Sequence, residues 1–350
     1  MKFNPYIVSE IGVNHEGDIK LAKDMIKSAA LSGSNAVKLQ MYKADKLASQ
    51  AFSRRYWSKT EEDTESQHAL FSKYDHFDEK DYIELAMFAN ANNVDFIVTP
   101  FDDDMINIAA KVSKYIKIAS ADITNIPHLR KCALTSKPLI ISTGASTLEE
   151  IDNAFNLILN NGGKIHALMH CVLNYPLEYK NVQMEFMNVL KSKYSDKVLI
   201  GYSDHTKPEK GRLLALELAA FMGADIVEKH FTLDNYSKGN DHYHSMTGRM
   251  LIDFRINLER FSEMFVTHER NLDIEKDAIK NARRRIFAKE DIKQGETINE
   301  NKIIPLRADI GIEIAYWDKI VGAVAKCDIS KGDYISLGKI EGNCQWEASI

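Results

Sequence analysis

Cysteine is scarce in this 350-residue chain: Cys132, Cys171, Cys327 and Cys344 are scattered, with no C-x-x-C spacing. That argues against a zinc–thiolate site and fits free thiols in a reducing compartment, so a cytoplasmic location is expected. Cys171 follows a strand end but reads as a buried spectator. Long hydrophobic runs are missing too. None approaches the ~20 residues needed to span a bilayer, and no N-terminal stretch has the form of a signal peptide. Excess positive charge is also absent: 45 Lys and Arg face 50 Asp and Glu, a net charge of −5. General nucleic-acid binding usually shows a basic footprint and is therefore not expected. The one dense basic run, Arg283–Arg285, reads as a solvated or interdomain surface. What is present, 45% hydrophobic and 27% charged residues, is the composition of a soluble globular protein.

Eight short runs rich in β-branched residues punctuate the first 230 positions. They are YIVSEIG (from Tyr6), AVKLQM (Ala36), FIVTPF (Phe96), YIKIAS (Tyr115), PLIISTG (Pro138), IHALMH (Ile165), VLIGYSDH (Val198) and DIVEKHF (Asp225). Between them lie segments of helical period, such as Ala22, Met25, Ile26, Ala29 and Ala30, stopped by Gly33. Ahead of another, Ser146 and Glu149 have capping-box spacing, and Gly162–Gly163 close that helix. Eight strand–helix alternations predict an α/β fold, a (β/α)8 TIM barrel over 1–264, with a linker over 265–284. From 285 to 350 the character changes. AKEDIKQGETINENKI (288–303) and AKCDISKGDYISLGKI (325–340) agree at eight of sixteen positions, which predicts a small β-rich domain with a pseudo-twofold core. One connection is too long for a simple crossover. The stretch between the second and third runs carries Arg54, Arg55, Tyr56, Trp57, Phe71 and Tyr74 and reads as a loop covering a substrate.

In such a barrel the chemistry sits at the C-terminal ends of the strands. Those ends carry Glu10, Lys38, Gln40, Thr99, Lys117, Ser120, Asp122, Ser142, Ser203, His205 and His230. By strand parity Lys38 and Gln40 share a face, as do Ser203 and His205, and Glu228 and His230. Charges inside a barrel are costly unless something neutralises them, so Lys38 and Lys117, with the hydroxyls of Ser120, Ser142, Thr143 and Ser203, suit a small multiply charged anion. His205 and His230 end the last two strands, and adjacent strands about 4.8 Å apart let two imidazoles share one divalent ion. Glu10 and Asp122 are candidate acids or bases. GNDHYHSM, after the last strand, adds Asp241, His242 and His244 to the same rim.

The motifs SEIGVNHEGD (9–18), VKLQ (37–40), TPFD (99–102), KIASADITN (117–125), ISTG (141–144), HCVLNYP (170–176), GYSDHT (201–206) and EKHFT (228–232) resemble those of the N-acetylneuraminate (sialic acid) synthase family. The tail resembles the antifreeze-like (SAF) domain that ends those enzymes. The resemblance implies condensation of phosphoenolpyruvate with an N-acetylated amino sugar such as N-acetylmannosamine. The products would be a nine-carbon 2-keto acid and phosphate, formed with a divalent metal (Mn2+ or Mg2+) in a domain-swapped homodimer. It implies His205 and His230 as metal ligands, and Lys38, Thr99, Lys117, Ser120, Asn174 and Ser203 as phosphoenolpyruvate contacts. Gln40, Tyr175, Asp241 and Glu10 would lie close to the sugar, and Arg307 would reach the partner subunit's site. Two departures stand out. Asp122 occupies a position where the best-known sialic acid synthases carry glutamate, and DHYHSM differs from the usual segment, which bears on the identity of the sugar. Legionaminic and pseudaminic acid synthases share the scaffold. A Schiff-base aldolase using Lys117 is the nearest enzyme rival, and a carbohydrate- or ice-binding protein the rival from another class.

Overall fold

A computed structural model describes residues 3–57, 59–60, 62–239, 241–265 and 269–342, so Asn240 and Cys344 lie outside the described residues. The chain divides into two compact units, Met1–Val266 and Thr267–Ile350.

The first unit is a closed barrel of eight parallel strands in sequential order. These are β1 (Tyr6–Gly12), β2 (Ala36–Met41), β3 (Asp95–Pro100), β4 (Ile116–Ile118), β5 (Pro138–Ser142), β6 (Lys164–Cys171), β7 (Leu199–Asp204) and β8 (Ile226–His230). The crossover helices are α1 (Ile19–Leu31), α2 (Glu79–Ala91), α3 (Asp103–Val112), α4 (Ile126–Leu134), α5 (Leu148–Asn160), α6 (Glu185–Tyr194), α7 (Leu214–Phe221) and α8 (Gly248–Met264). Alternation along each strand sorts side chains into two apolar layers. Outward residues such as Ile7, Val37, Phe96 and Ile200 meet the helix faces, including Met25, Ile26 and Ala29 of α1. Inward residues Val8, Ala36, Ile97, Ile140, Ala167, Met169 and Ile226 form a separate plug that closes the barrel interior. Gly201 belongs to the same inner layer. A Cβ there would stand 2.4 Å from the Met169 sulfur and 2.5 Å from the Ile226 carbonyl oxygen, so only glycine lets Met169 lie across the barrel.

The cap of α5 is one residue from its expected place. Thr147 and Glu150 form the box, because the Ser146 hydroxyl is turned back onto the Gly144 carbonyl at 3.0 Å. The long connection after β2 contains two short helices (Ala44–Leu47 and Gln67–Ser72) and is pinned at its base by Asp75. That carboxylate accepts from the Lys43 ammonium at 3.1 Å and from the Ala44 N–H at 2.7 Å.

The second unit bears out the internal repeat as a reciprocal hydrogen-bond pattern. Ile292 N–H donates to Ile329 C=O and Ile329 N–H to Ile292 C=O, both at 2.8 Å. Gly295 N–H reaches Ala325 C=O, and Gly332 N–H reaches Ala288 C=O, again both at 2.8 Å. Each copy turns at a left-handed glycine (Gly295, φ 79°; Gly332, φ 88°), then buries an isoleucine (Ile298, Ile335). The strands here are β9 (Arg284–Ala288), β10 (Ile303–Arg307), β11 (Val324–Ala325) and β12 (Ile340–Glu341), in antiparallel pairs β9–β10 and β11–β12.

Candidate active site

Above the apolar plug, the next inward layer is polar. Register explains why: Glu10 on β1 pairs with both Lys38 on β2 and His230 on β8, and Ser203 on β7 pairs with Glu228 on β8. The Lys38 ammonium lies 2.8 Å from Glu10 Oε2, 3.6 Å from Glu228 Oε1 and 3.2 Å from the Thr99 hydroxyl. Lys117 donates to the Ser142 hydroxyl at 2.6 Å and sits 3.8 Å from Glu228 Oε1. Ser203 donates to that same oxygen at 3.0 Å, and the Gln40 amide donates to Glu10 Oε1 at 3.3 Å. Two buried lysines are thus matched by two buried carboxylates. The lysines expected to make a cationic basin therefore lie in a neutralised layer.

Their proton affinities follow from this pairing. Burial opposes every charge in the layer. For Glu228 the two lysines and the Ser203 hydroxyl outweigh it and hold the carboxyl down at about 2. For Lys38, burial is likewise overcome by Glu10 and Glu228, and its pKa is raised. Lys117 is different: burial prevails over the attraction of Glu228, with Lys38 adding repulsion, and its pKa falls.

At the rim, His230 and His205 end adjacent strands, their ring centroids 5.7 Å apart. His205 Nδ1 lies 2.8 Å from the Val172 carbonyl oxygen, an acceptor, so that nitrogen carries the hydrogen and Nε2 is free to accept. The loop after β8 adds Asp241 and His244. Asp241 Oδ2 is 3.2 Å from His230 Nδ1, and Oδ1 is 3.9 Å from His244 Nε2. One donor atom from each of His230, Asp241 and His244 lies within 4.8 Å of the other two. Despite its burial, Asp241 has its pKa pulled below the ordinary carboxylate range by these histidines. His244 is fully buried, and burial pushes its pKa well down. Tyr175 covers the group, its ring 4.2 Å from that of His205 and 5.5 Å from that of His244.

The polar layer and the rim residues Tyr175, His205, His230 and Asp241 line one cavity of about 330 Å³. It gathers thirteen of the residues singled out from sequence: Glu10, Lys38, Gln40, Thr99, Lys117, Ser120, Asp122, Ser142, Tyr175, Ser203, His205, His230 and Asp241. Asp122 sits at its edge, half-buried, accepting from the Asn125 side-chain amide at 3.1 Å. Asn174 is exposed beside the lining residues Leu173 and Tyr175, and Arg307 ends β10 in the second unit, also exposed. The long connection supplies an aromatic wall (Tyr56, Trp57, Phe71), consistent with its reading as a cover. Glu228 and His244 were not assigned roles from sequence. For Glu228 the signal was available, since it faces the same way as His230 two residues on. Cys171 also lines the cavity, its sulfur 3.8 Å from His205 Nδ1.

Comparison with known proteins agrees with the motifs. The sequence model of the NeuB family matches residues 25–269, and that of the SAF domain matches 283–341. N,N'-diacetyllegionaminic acid synthase of Campylobacter jejuni is 35% identical over 342 residues, spanning 94% of this chain and 98% of that protein. N-acetylneuraminate-9-phosphate synthase of Drosophila melanogaster is 35% identical over 246 residues, 68% of this chain and 62% of its own length. Among solved structures, N-acetylneuraminic acid synthetase from Leptospira borgpetersenii, in complex with citrate, superposes with a TM-score of 0.66 at 30% identity. That match covers 79% of this chain and 91% of that one.

Proposed function

The chain belongs to the NeuB family and carries a SAF domain, and on that premise we propose that it condenses phosphoenolpyruvate with an N-acetylated amino sugar, giving a nine-carbon 2-keto acid and phosphate. The observation that carries this reading is the layered site. Two lysines neutralised by two carboxylates form a floor, and a histidine–aspartate cluster stands directly above, within one cavity.

Phosphoenolpyruvate is a compact polyanion, and Lys38 and Lys117 with the hydroxyls of Thr99, Ser120, Ser142 and Ser203 are the groups that would bind its phosphate and carboxylate. Carbon 3 of phosphoenolpyruvate attacks the aldehyde carbon of the open-chain sugar, and positive charge develops at carbon 2. Water adds at carbon 2, and the resulting tetrahedral centre expels phosphate by breaking its carbon–oxygen bond. Between the two candidate bases, Asp122 is better placed to take the water's proton: Glu10 is engaged by Lys38 and Gln40, whereas Asp122 meets only the Asn125 amide among the described side-chain contacts. Gln40, Tyr175 and Asp241 line the sugar side of the cavity.

A divalent ion fits the donor set, because both His244 nitrogens are buried without hydrogen-bond partners among the described residues, His230 Nδ1 faces the Asp241 carboxylate at 3.2 Å, and His205 keeps Nε2 free. His205 and His230 would hold it, and Mn2+ or Mg2+ would supply Lewis-acid polarisation of the aldehyde. For the acceptor, the aromatic wall favours a diacetamido-trideoxy hexose, the kind of sugar that leads to legionaminic or pseudaminic acids, over one bearing a phosphate. We further propose a cytoplasmic homodimer with swapped SAF domains, in which Arg307 enters the partner subunit's site.

A panel of acetamido sugars, each supplied with phosphoenolpyruvate, tests the reading by phosphate release. Release should require sugar, stop on chelation and resume with Mn2+. Sugar-independent release, or borohydride trapping of pyruvate on Lys117, would replace this function with another.

A further inference from the structure

His244 has no part in the reaction as proposed, yet its placement is unusual. It is 0% exposed, and neither ring nitrogen has a hydrogen-bond partner among the described residues. A histidine desolvated on both nitrogens costs stability unless something supplies what water gave. Its surroundings point to what that is. Its ring centroid lies 4.8 Å from that of His230, Asp241 Oδ1 is 3.9 Å from its Nε2, and the same carboxylate's other oxygen is 3.2 Å from His230 Nδ1.

We propose that His244 is a metal ligand, completing with His230 and Asp241 a three-residue site on β8 and the loop that follows it. Metal–nitrogen and metal–oxygen bonds of about 2.0–2.2 Å place ligand atoms no more than about 4.4 Å apart. The 4.8 Å envelope of these three donors therefore needs only a small side-chain adjustment to close on one ion. Two of the three donors lie within four residues of each other on one short turn, at 241 and 244, so the site is assembled largely by a local segment. That segment is DHYHSM, the stretch whose departure from the usual pattern is read from sequence. Added to His205 on β7, already assigned to the ion, these groups exceed what the two strand-end histidines supply, so the ion is held more tightly and with fewer positions left for substrate.

The inference rests on the proposed condensation for what the ion is used for, but not for where it sits, so binding is measured apart from turnover. Mn2+ is titrated into the full chain by calorimetry, without substrate. His244→Phe, which keeps the ring volume, and His244→Gln, which keeps polarity, should each weaken Mn2+ by at least the ~10–100-fold seen when outer-shell partners are lost. Fold is verified by circular dichroism. A Mn2+ anomalous difference map from crystals of the unaltered protein decides independently of any variant, with the ion expected within about 2.3 Å of a His244 nitrogen. Wild-type Mn2+ affinity in both variants, or an ion seated away from His244, would overturn the proposal. If the ion sits on His244 and no acetamido sugar yields phosphate, the metal site stands and the condensation reading falls.

Discussion

Replacing Glu228 by glutamine removes one negative charge from a layer in which every charge is buried. Lys38 would keep Glu10 at 2.8 Å, so the loss falls on Lys117, left with the Ser142 hydroxyl and the Ile118 carbonyl. Its side chain is only 4% exposed, so water cannot substitute for the carboxylate. Breaking a buried pair in this way costs about 3–5 kcal/mol, and the readiness of Lys117 to shed its proton puts the figure near the lower bound, about 3 kcal/mol. At roughly 2–4 °C per kcal/mol for a domain of this size, the melting temperature should fall by about 6–12 °C. The direction reverses for ligand. With Glu228 neutral, phosphoenolpyruvate meets a floor of net positive charge, so saturating phosphoenolpyruvate should raise the variant's melting temperature by more than it raises the wild type's. pH supplies a second check. The folded Glu228 titrates near 2, below its ordinary value near 4.5, so its contribution is complete above about 4.5 and is lost as pH falls toward 2. The gap between wild type and Glu228→Gln in denaturant unfolding should therefore close across that window. Scanning calorimetry with and without phosphoenolpyruvate measures the first two effects. An unchanged melting temperature, or a ligand shift no larger than in the wild type, would refute the charge pairing.

Three further outcomes are expected. Behind the histidines, Asp204 and Lys229 form an ion pair at 2.6 Å with both side chains 0% exposed; Asp204 also accepts from Tyr202 and twice from Thr206, whereas Lys229 has, among the described residues, only the Thr206 carbonyl besides. Asp204→Leu should thus destabilise more than Lys229→Met, the first by about 3–5 kcal/mol, and the double variant should recover much of the loss in urea unfolding. Phosphoenolpyruvate carrying oxygen-18 at the bridging position should yield labelled phosphate by mass spectrometry, and label in the keto acid would mean phosphorus–oxygen cleavage instead. Arg307→Ala should weaken sugar-dependent turnover by about 1–3 kcal/mol in transition-state binding. Mixing its subunits with inactive His230→Ala subunits should raise activity above that of either parent, and a mixture that exchanges without such a gain rules out contact in trans.

The barrel was legible because its signal is local. Each strand is an apolar run ended by a polar residue, and the parity that pairs Glu228 with His230 is a property of one strand. What sequence could not supply is which charges meet across the barrel. Lys38 and Lys117 suggest an anion site when read along the chain; Glu10 meets Lys38 through the β1–β2 register, but Glu228 comes from β8, and only closure brings it within 3.6–3.8 Å of the two lysines. The α5 cap was displaced for a smaller reason: STLEE offers two overlapping boxes, and the choice went to the one capped by Thr147, because the Ser146 hydroxyl is already bonded to the Gly144 carbonyl. His244 was noticed and left without a role, since nothing in a linear motif reveals that both its nitrogens are desolvated.

The reciprocal bonding of the SAF unit makes the tail its own control. Gly295 and Gly332 occupy equivalent turns 37 residues apart in left-handed conformations, and an added methyl at either would meet nothing within 4 Å. Alanine at each position then carries the same backbone penalty, about 1–2 kcal/mol. Any difference between the two variants measures how unequally the two halves support the same turn. Few proteins allow one perturbation to be performed twice in the same molecule against nearly the same background.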